Sequence, residues 1–158
     1  MLKILYSKWL YLVLRLVIGG LFVYAGILKL ADPTAFAVSI DGYGMVSWRM
    51  AKVLAHVLPV IEVATGIGLI IDIKGALALI VAQLLMFMGV LSYAIHMGLD
   101  VDCGCFGPET SVGDESGGLW PTMIRDIFMF GACLLMYWQR RAAGFVPRSI
   151  TRIFRPAS

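Results

Sequence analysis

Two cysteines one residue apart, Cys103 and Cys105, stand in a turn-forming stretch of residues 101–108, which we name the cysteine segment. A disulfide needs Cα atoms about 4.4 to 6.8 Å apart, and a fully extended i, i+2 pair lies at the far edge of that range. Gly104 between the two thiols can adopt the dihedral angles that bend the chain. A disulfide that closes so short a loop should be strained, and strained or exposed disulfides are the oxidising and exchangeable ones. The segment therefore predicts a redox pair.

Two other interpretations of the pair stay open. The cysteines could be small residues in a turn made by Gly104, Gly107 and Pro108. Thiolates also bind zinc or copper, but a closed zinc site takes about four ligands, and only His96 and nearby carboxylates could complete it. We therefore expect no metal here. The remaining cysteine, Cys133, lies in an apolar run and is expected to be an inert core residue.

The composition indicates that these residues belong to a membrane protein. Of 158 residues, 60% are hydrophobic and 15% charged, against about 45 to 50% and 25% in soluble domains. A helix needs about 20 mainly apolar residues to cross the hydrocarbon core. Four such runs occupy residues 9–28, 53–71, 76–97 and 119–138. We predict an all-α membrane protein, a four-transmembrane-helix bundle that forms one domain over residues 1–158.

The distribution of charge predicts the orientation of the bundle. Lys and Arg collect in short cytoplasmic segments, and they occur in both the N-terminal segment and the tail of residues 139–158 but nowhere between His96 and Arg125. We therefore expect both termini in the cytoplasm of a bacterium, the protein in its inner membrane, and the cysteine segment in the periplasm, where disulfides persist. The tail is expected to be a topology anchor near anionic lipid rather than a nucleic-acid site. The first run is too long for a typical signal-peptide core, so it is expected to remain as a helix.

Several polar residues are expected near the cysteine segment, at the outer end of the bundle. His96 could stabilise a thiolate or shuttle a proton, or it could be a hydrated interfacial residue. Arg125 and Asp126 lie within about two turns of the outer surface and should face the bundle. Arg125 could act on a thiol or hold a substrate anion, or it could pair with Asp126 alone.

The first outer loop is expected to contain a short interfacial helix. Asp32 is a good N-cap and Pro33 suits the first helical position. Phe36 and Tyr43, together with Lys29, could line an apolar slot with a few polar groups, as a ring-shaped acceptor such as a quinone would need. Alternatively, these side chains only seal the end of the bundle.

Polar residues also occur inside the predicted spans. At about 1.5 Å per residue, Arg15, Glu62 and Gln83 lie about 9, 13 and 11 Å above the cytoplasmic end of the bundle. Intramembrane charges are expensive unless they are paired. We therefore predict a buried pair of Arg15 with Glu62 in a polar cluster with Gln83. This cluster either takes part in the function of the protein or holds the helices of the bundle together. Gly19, Gly20 and Gly26 of the first span are expected to let a neighbouring helix approach closely.

Taken together, these motifs resemble the MauE and DoxX group of small redox-associated membrane proteins. The resemblance is carried by Arg15, the Tyr-Ala-Gly-Ile-Leu-Lys-Leu run of residues 24–30, Asp32-Pro33, Phe36, the Leu-Pro-Val-Ile-Glu run of residues 58–62, Gly66, the Asp-Cys-Gly-Cys-Phe-Gly run of residues 102–107, and Arg125-Asp126. The cysteine segment resembles MauE rather than DoxX proper. The resemblance implies a four-helix membrane protein that helps to mature periplasmic redox proteins, notably the disulfide-rich small subunit of methylamine dehydrogenase. The broader group is associated with thiol, sulfur and quinone chemistry.

Two functions of different classes follow. The first is a thiol–disulfide oxidoreductase or electron relay, in which Cys103 and Cys105 accept electrons from a periplasmic thiol and pass them to a membrane acceptor such as a quinone. The partner would be a thioredoxin-like protein or a dehydrogenase subunit. The second is a noncatalytic membrane subunit that docks or assembles a partner in a larger complex through its outer loops.

Overall fold

The computed structural model describes residues 8–99 and 119–143, so the cysteine segment lies outside the described residues. The described residues form five helices and no strand. They are α1 (Lys8–Ala31), α2 (Pro33–Gly42), α3 (Trp48–Ile70), α4 (Ala76–Met97) and α5 (Leu119–Ala143). All except α2 are long and apolar enough to cross a membrane. The predicted all-α fold with four spans is confirmed.

The observed helix bounds differ from the predicted spans mainly at their polar ends. α4 has the predicted bounds, whereas α3 begins at Trp48, five residues before the predicted start. α5 continues to Ala143 and includes Arg140 and Arg141 in its last turn. A helix can continue beyond the hydrocarbon core into the polar interface, where hydropathy no longer marks it.

The short helix of the first loop is also confirmed. The side chain of Asp32 caps α2 by accepting a hydrogen bond of 3.0 Å from the backbone N–H of Ala35. Phe36 and Ala37 are buried in a small cluster with Ala55 of α3, and Leu58 packs against it. α2 therefore lies against α3 and covers one end of the bundle.

α1 and α3 cross with their backbones in contact. A Cβ atom added to Gly19 would lie 2.8 Å from the carbonyl oxygen of Gly66, and one added to Gly26 would lie 2.9 Å from that of Pro59. Glycine is required at both positions because any side chain would push the helices apart. A Cβ atom on Gly20 would meet no described residue within 4 Å, so the expectation of close approach is confirmed for Gly19 and Gly26 but wrong for Gly20.

The core lies between the four long helices. Its buried residues are Tyr11, Ile18, Phe22, Leu69, Ala76, Leu77, Ile80, Leu84, Cys133 and Met136. Cys133 is a free thiol with 0% exposure, as expected of a small core residue. Many large apolar side chains point outward, such as Val17, Ile67 and Phe128. In a bilayer these outward side chains contact acyl chains rather than water.

One end of the bundle is held by an ion-pair network that we name the Asp72 cluster. Asp72 lies in the turn between α3 and α4 with a φ of 64°. Its Oδ1 atom accepts hydrogen bonds from the Tyr11 hydroxyl at 2.8 Å and from Arg140 Nη2 at 2.7 Å. Its Oδ2 atom lies 3.2 Å from Arg15 Nη1. The start of α1 and the end of α5 therefore share this end, and α2 lies at the other. Which end faces the cytoplasm stays a prediction.

Candidate functional site: a charged pocket beside an apolar cavity

A buried ion pair joins α1 to α3 near the end of the bundle that α2 covers. Lys29 Nζ, in the last turn of α1, lies 2.6 Å from Glu62 Oε1, and both side chains are only 2% exposed. The same ammonium lies 5.0 Å from the ring centre of Phe36 and 4.8 Å from that of Phe87. One carboxylate and two aromatic faces therefore stabilise the charge of Lys29 away from water.

A second ion pair, on α5, faces the first. Arg125 donates from Nε and Nη2 to Asp126 Oδ1 at 3.2 and 3.0 Å. The Asp126 side chain is 4% exposed and that of Arg125 is 30% exposed. Lys29, Glu62, Arg125 and Asp126 all line one cavity of about 40 Å³, which we name the charged pocket. Two cations and two carboxylates balance each other there, and the space is sufficient for about one water molecule.

Glu62 has unused hydrogen-bonding capacity in this pocket. The residue is 1% exposed, yet among the residues that the structure describes its Oε2 atom has no hydrogen-bond partner. A buried acceptor without a partner costs about 1 to 3 kcal/mol, and more when it is charged. Glu62 Oε2 is therefore the atom of the charged pocket that is best placed to accept a proton or a hydrogen bond from a water molecule.

The predicted pair of Arg15 with Glu62 is wrong. Arg15 binds Asp72 instead, and Glu62 binds Lys29. The glycine contacts fix the register of α1 against α3 and place Arg15 opposite Ile70. In that register the level of Glu62 lies about eight residues, or roughly 12 Å, further along α1.

Side-chain direction explains which residues meet. Cα–Cβ bonds tilt toward the N-terminus of a helix. Because α1 and α3 are antiparallel, side chains of α1 lean toward the Asp72 cluster and those of α3 lean toward α2. Lys29 and Glu62 therefore lean toward each other, whereas Arg15 and Glu62 lean apart. Depths estimated from Cα positions alone miss this difference.

Gln83 is also not in the predicted cluster. The hydroxyl of Thr65 on α3 donates a hydrogen bond of 2.9 Å to Gln83 Oε1, which ties α4 to α3. Gln83 does not line the charged pocket. The predicted cluster of Arg15, Glu62 and Gln83 is therefore replaced by three separate sets of contacts.

A larger and almost entirely apolar cavity of about 250 Å³ adjoins the charged pocket, and we name it the apolar cavity. It is lined by Lys29, Phe36, Ile40, Tyr43, Met45, Val46, Leu54, Leu58, Met86, Phe87, Val90 and Leu91. Lys29 lines both spaces. The structure thus places Lys29, Phe36 and Tyr43 around one cavity, and the binding of a ring there stays a prediction.

The other predicted site residues are divided between described and undescribed parts of the chain. Cys103 and Cys105 lie outside the described residues. His96 is exposed in the last turn of α4 and lines neither the charged pocket nor the apolar cavity. Across residues 8–99 and 119–143, no three His, Cys, Asp or Glu side chains come together to hold a metal ion.

The Lys29–Glu62 pair could have been found from residue spacing. Alternating steps of four and three residues mark one face of a packed helix. On α1 this face carries Arg15, Gly19, Phe22, Gly26 and Lys29; on α3 it carries Ala55, Pro59, Glu62, Gly66 and Leu69. The spacing assigns Lys29 to the same inward face as Arg15, and Lys29 then requires a buried partner.

Comparison with known proteins places the chain in a family. The family model described as methylamine utilisation protein MauE matches residues 7–139. The chain is 29% identical over 141 residues to the methylamine utilization protein MauE of Paracoccus denitrificans, covering 87% of this chain and 73% of that protein. No solved structure matches the chain. The matched range includes the charged pocket, the apolar cavity and the cysteine segment.

Proposed function

Because this chain belongs to the MauE family, we propose that it serves methylamine utilisation as a membrane protein that oxidises the thiols of a partner protein outside the cytoplasm. The observation that carries the proposal is the position of the charged pocket. Asp126 lies about 10 Å along α5 from Leu119, the first described residue after the cysteine segment. The two helix ends that flank the segment in the sequence, Met97 of α4 and Leu119 of α5, therefore lie at the end of the bundle where the buried charges lie.

The proposed reaction is thiol–disulfide exchange followed by electron transfer. A thiolate of the partner attacks the Cys103–Cys105 disulfide, one of these sulfurs leaves as a thiolate, and a mixed disulfide forms. A second partner thiol then displaces the other sulfur. The partner gains a disulfide, and Cys103 and Cys105 become thiols. A lipid-soluble acceptor of two electrons and two protons re-forms their disulfide.

The charged pocket supports this reaction by handling protons. Re-oxidation of two thiols releases two protons together with two electrons. Glu62 Oε2 has no hydrogen-bond partner in residues 8–99 and 119–143, and Lys29 Nζ lies 2.6 Å from the other oxygen of the same carboxylate. The pair can pass a proton between these two groups while the pocket stays close to neutral. Arg125 and Asp126 add a second pair at the same level.

Thiol trapping in intact cells tests the proposal. Cells are quenched with acid, and free thiols are alkylated with a mass-tagged maleimide before and after reduction. Cys103 and Cys105 should be recovered as a disulfide, and Cys103→Ser or Cys105→Ser should lower the yield of oxidised partner. Cys133→Ser is the matched control, because Cys133 is buried in the core, and it should leave that yield unchanged.

The opposite result has a defined meaning. If the two thiols stay reduced in aerated cells and both single serine variants support normal maturation of the partner, thiol exchange is excluded. A requirement for the protein without a requirement for its cysteines would identify a noncatalytic docking subunit.

A further inference from the structure

We propose that the apolar cavity binds the ring of a membrane quinone, with one ring carbonyl oxygen accepting a hydrogen bond from Lys29 Nζ. The inference deepens the proposed function and rests on it for the source of electrons. In the redox step, the dithiol of Cys103 and Cys105 loses two electrons and two protons and forms one S–S bond. The quinone gains both electrons and both protons and becomes a quinol.

The dimensions and lining of the apolar cavity suit a substituted ring. Its volume of about 250 Å³ is slightly below the range of sites that enclose a whole drug-sized ligand. It can therefore hold a headgroup whose tail stays outside. Phe36, Tyr43 and Phe87 line it, and aromatic side chains stack favourably on planar rings.

The opening of the apolar cavity indicates where its occupant comes from. Met86 lines the cavity, is 41% exposed, and lies about 15 Å from either end of α4. An exposed side chain at that depth faces the hydrocarbon core of a bilayer. Met45, which is 45% exposed, also lines the cavity. The occupant therefore enters from the bilayer, which favours a lipid-soluble molecule over a soluble anion.

Lys29 distinguishes a quinone from an acyl chain. An ammonium group has three N–H donors, and within the described residues Lys29 Nζ makes one hydrogen bond, to Glu62 Oε1. Its other neighbours are the faces of Phe36 and Phe87, which attract a cation but offer no oxygen acceptor. A carbonyl oxygen would give this buried cation a charge-assisted hydrogen bond. A hydrocarbon chain offers no such acceptor.

Binding is tested on full-length protein in lipid nanodiscs, with decylubiquinone as the probe and isothermal titration calorimetry as the measurement. The protein carries Cys103→Ser and Cys105→Ser, so the result does not depend on thiol chemistry. Val90→Phe fills the apolar cavity and should weaken binding at least about tenfold. Val57→Phe is the matched control, because Val57 is 46% exposed and does not line the cavity. Met45→Trp at the opening replaces Val90→Phe if that variant does not fold.

The outcomes separate this site from the proposed function. Saturable binding that Val90→Phe or Met45→Trp weakens and Val57→Phe preserves supports the site. Absence of saturable binding, or equal binding by the filled and control variants, overturns it. Displacement of decylubiquinone by n-decanol at an equal concentration assigns the cavity to an acyl chain and also overturns it. Thiol exchange with a soluble disulfide, measured on the protein that retains Cys103 and Cys105, tests the proposed function, and its result does not depend on quinone binding.

Discussion

Replacing Glu62 with glutamine should leave the ammonium of Lys29 buried without its carboxylate. Both side chains are 2% exposed and their charged atoms lie 2.6 Å apart. Removing one partner of a buried pair costs about 3 to 5 kcal/mol. Lys29 would keep the rings of Phe36 and Phe87, each of which contributes about 0.5 to 2 kcal/mol. We therefore expect Glu62→Gln to lower the free energy of unfolding by about 3 kcal/mol.

Lys29→Met should lower the free energy of unfolding further, because it leaves a carboxylate whose Oε2 atom already lacks a hydrogen-bond partner in the described part of the chain. Aromatic faces repel a carboxylate rather than stabilise it, so a loss of about 5 kcal/mol is expected. The double variant Lys29→Met/Glu62→Gln removes both charges, and replacement of a whole buried pair by neutral groups is often close to neutral. The double variant should therefore be more stable than Lys29→Met alone.

The assay is a titration with sodium dodecyl sulfate in mixed micelles, followed by circular dichroism, on the wild type and the three variants. The control cycle pairs Arg15→Met with Glu62→Gln, since these side chains belong to separate ion pairs. Effects of such separated sites should add within about 0.5 kcal/mol. Additive effects of Lys29→Met and Glu62→Gln, with coupling between Arg15 and Glu62, would refute the assignment of the pairs.

Three further predictions concern the packing of the bundle. Gly19→Ala should destabilise it by about 1 to 3 kcal/mol in the same titration, because the new Cβ would meet a backbone oxygen of α3. Gly20→Ala has open space and should be neutral or stabilising by up to about 1 kcal/mol; equal losses would contradict the helix contact. Arg140→Gln should lower the free energy of unfolding by about 1.5 to 3 kcal/mol, because it removes a charged hydrogen bond to Asp72. Arg141 is exposed, so Arg141→Gln should change that free energy by no more than about 0.5 kcal/mol. In a variant that lacks the other two cysteines, Cys133 should react with maleimide only after unfolding, and rapid labelling of the native protein would show that the core is open.

The fold follows from the sequence because the bilayer restricts the choices. Four apolar runs of sufficient length imply four helices, since the backbone of a lipid-facing span must satisfy its own hydrogen bonds. Asp32 and Pro33 mark the start of α2 by cap chemistry that is local to a few residues. The start of α3 at Trp48 was not predicted, because the charged residues Arg49 and Lys52 interrupt the apolar run by which the span was recognised. A helix can carry such residues where it enters the polar interface.

The pairing of charges was harder to predict than the helices. A span limits the depth of each residue, but pairing also depends on helix rotation and on side-chain direction. The depth of Glu62 relative to Arg15 was misjudged, because the ends of α1 and α3 were taken to lie at one level, whereas the glycine contacts place Arg15 opposite Ile70, the last residue of α3. The two side chains also lean toward opposite ends of the bundle. Lys29 was expected at the outer layer with Phe36 and Tyr43, and its link to Glu62 appears only when the contact faces of α1 and α3 are compared.

Glycine packing and the ion pair are parts of one arrangement. Gly26 lies one turn before Lys29, and the atoms it would strike belong to Val63 and Pro59, which lie on either side of Glu62. Because the backbones touch there, the lysine and glutamate side chains can reach each other and meet at 2.6 Å. A side chain at Gly26 would separate the helices at the level of the charged pair. Close backbone contact therefore sets the position of Lys29 between the charged pocket and the apolar cavity, so that helix packing determines the chemistry available there.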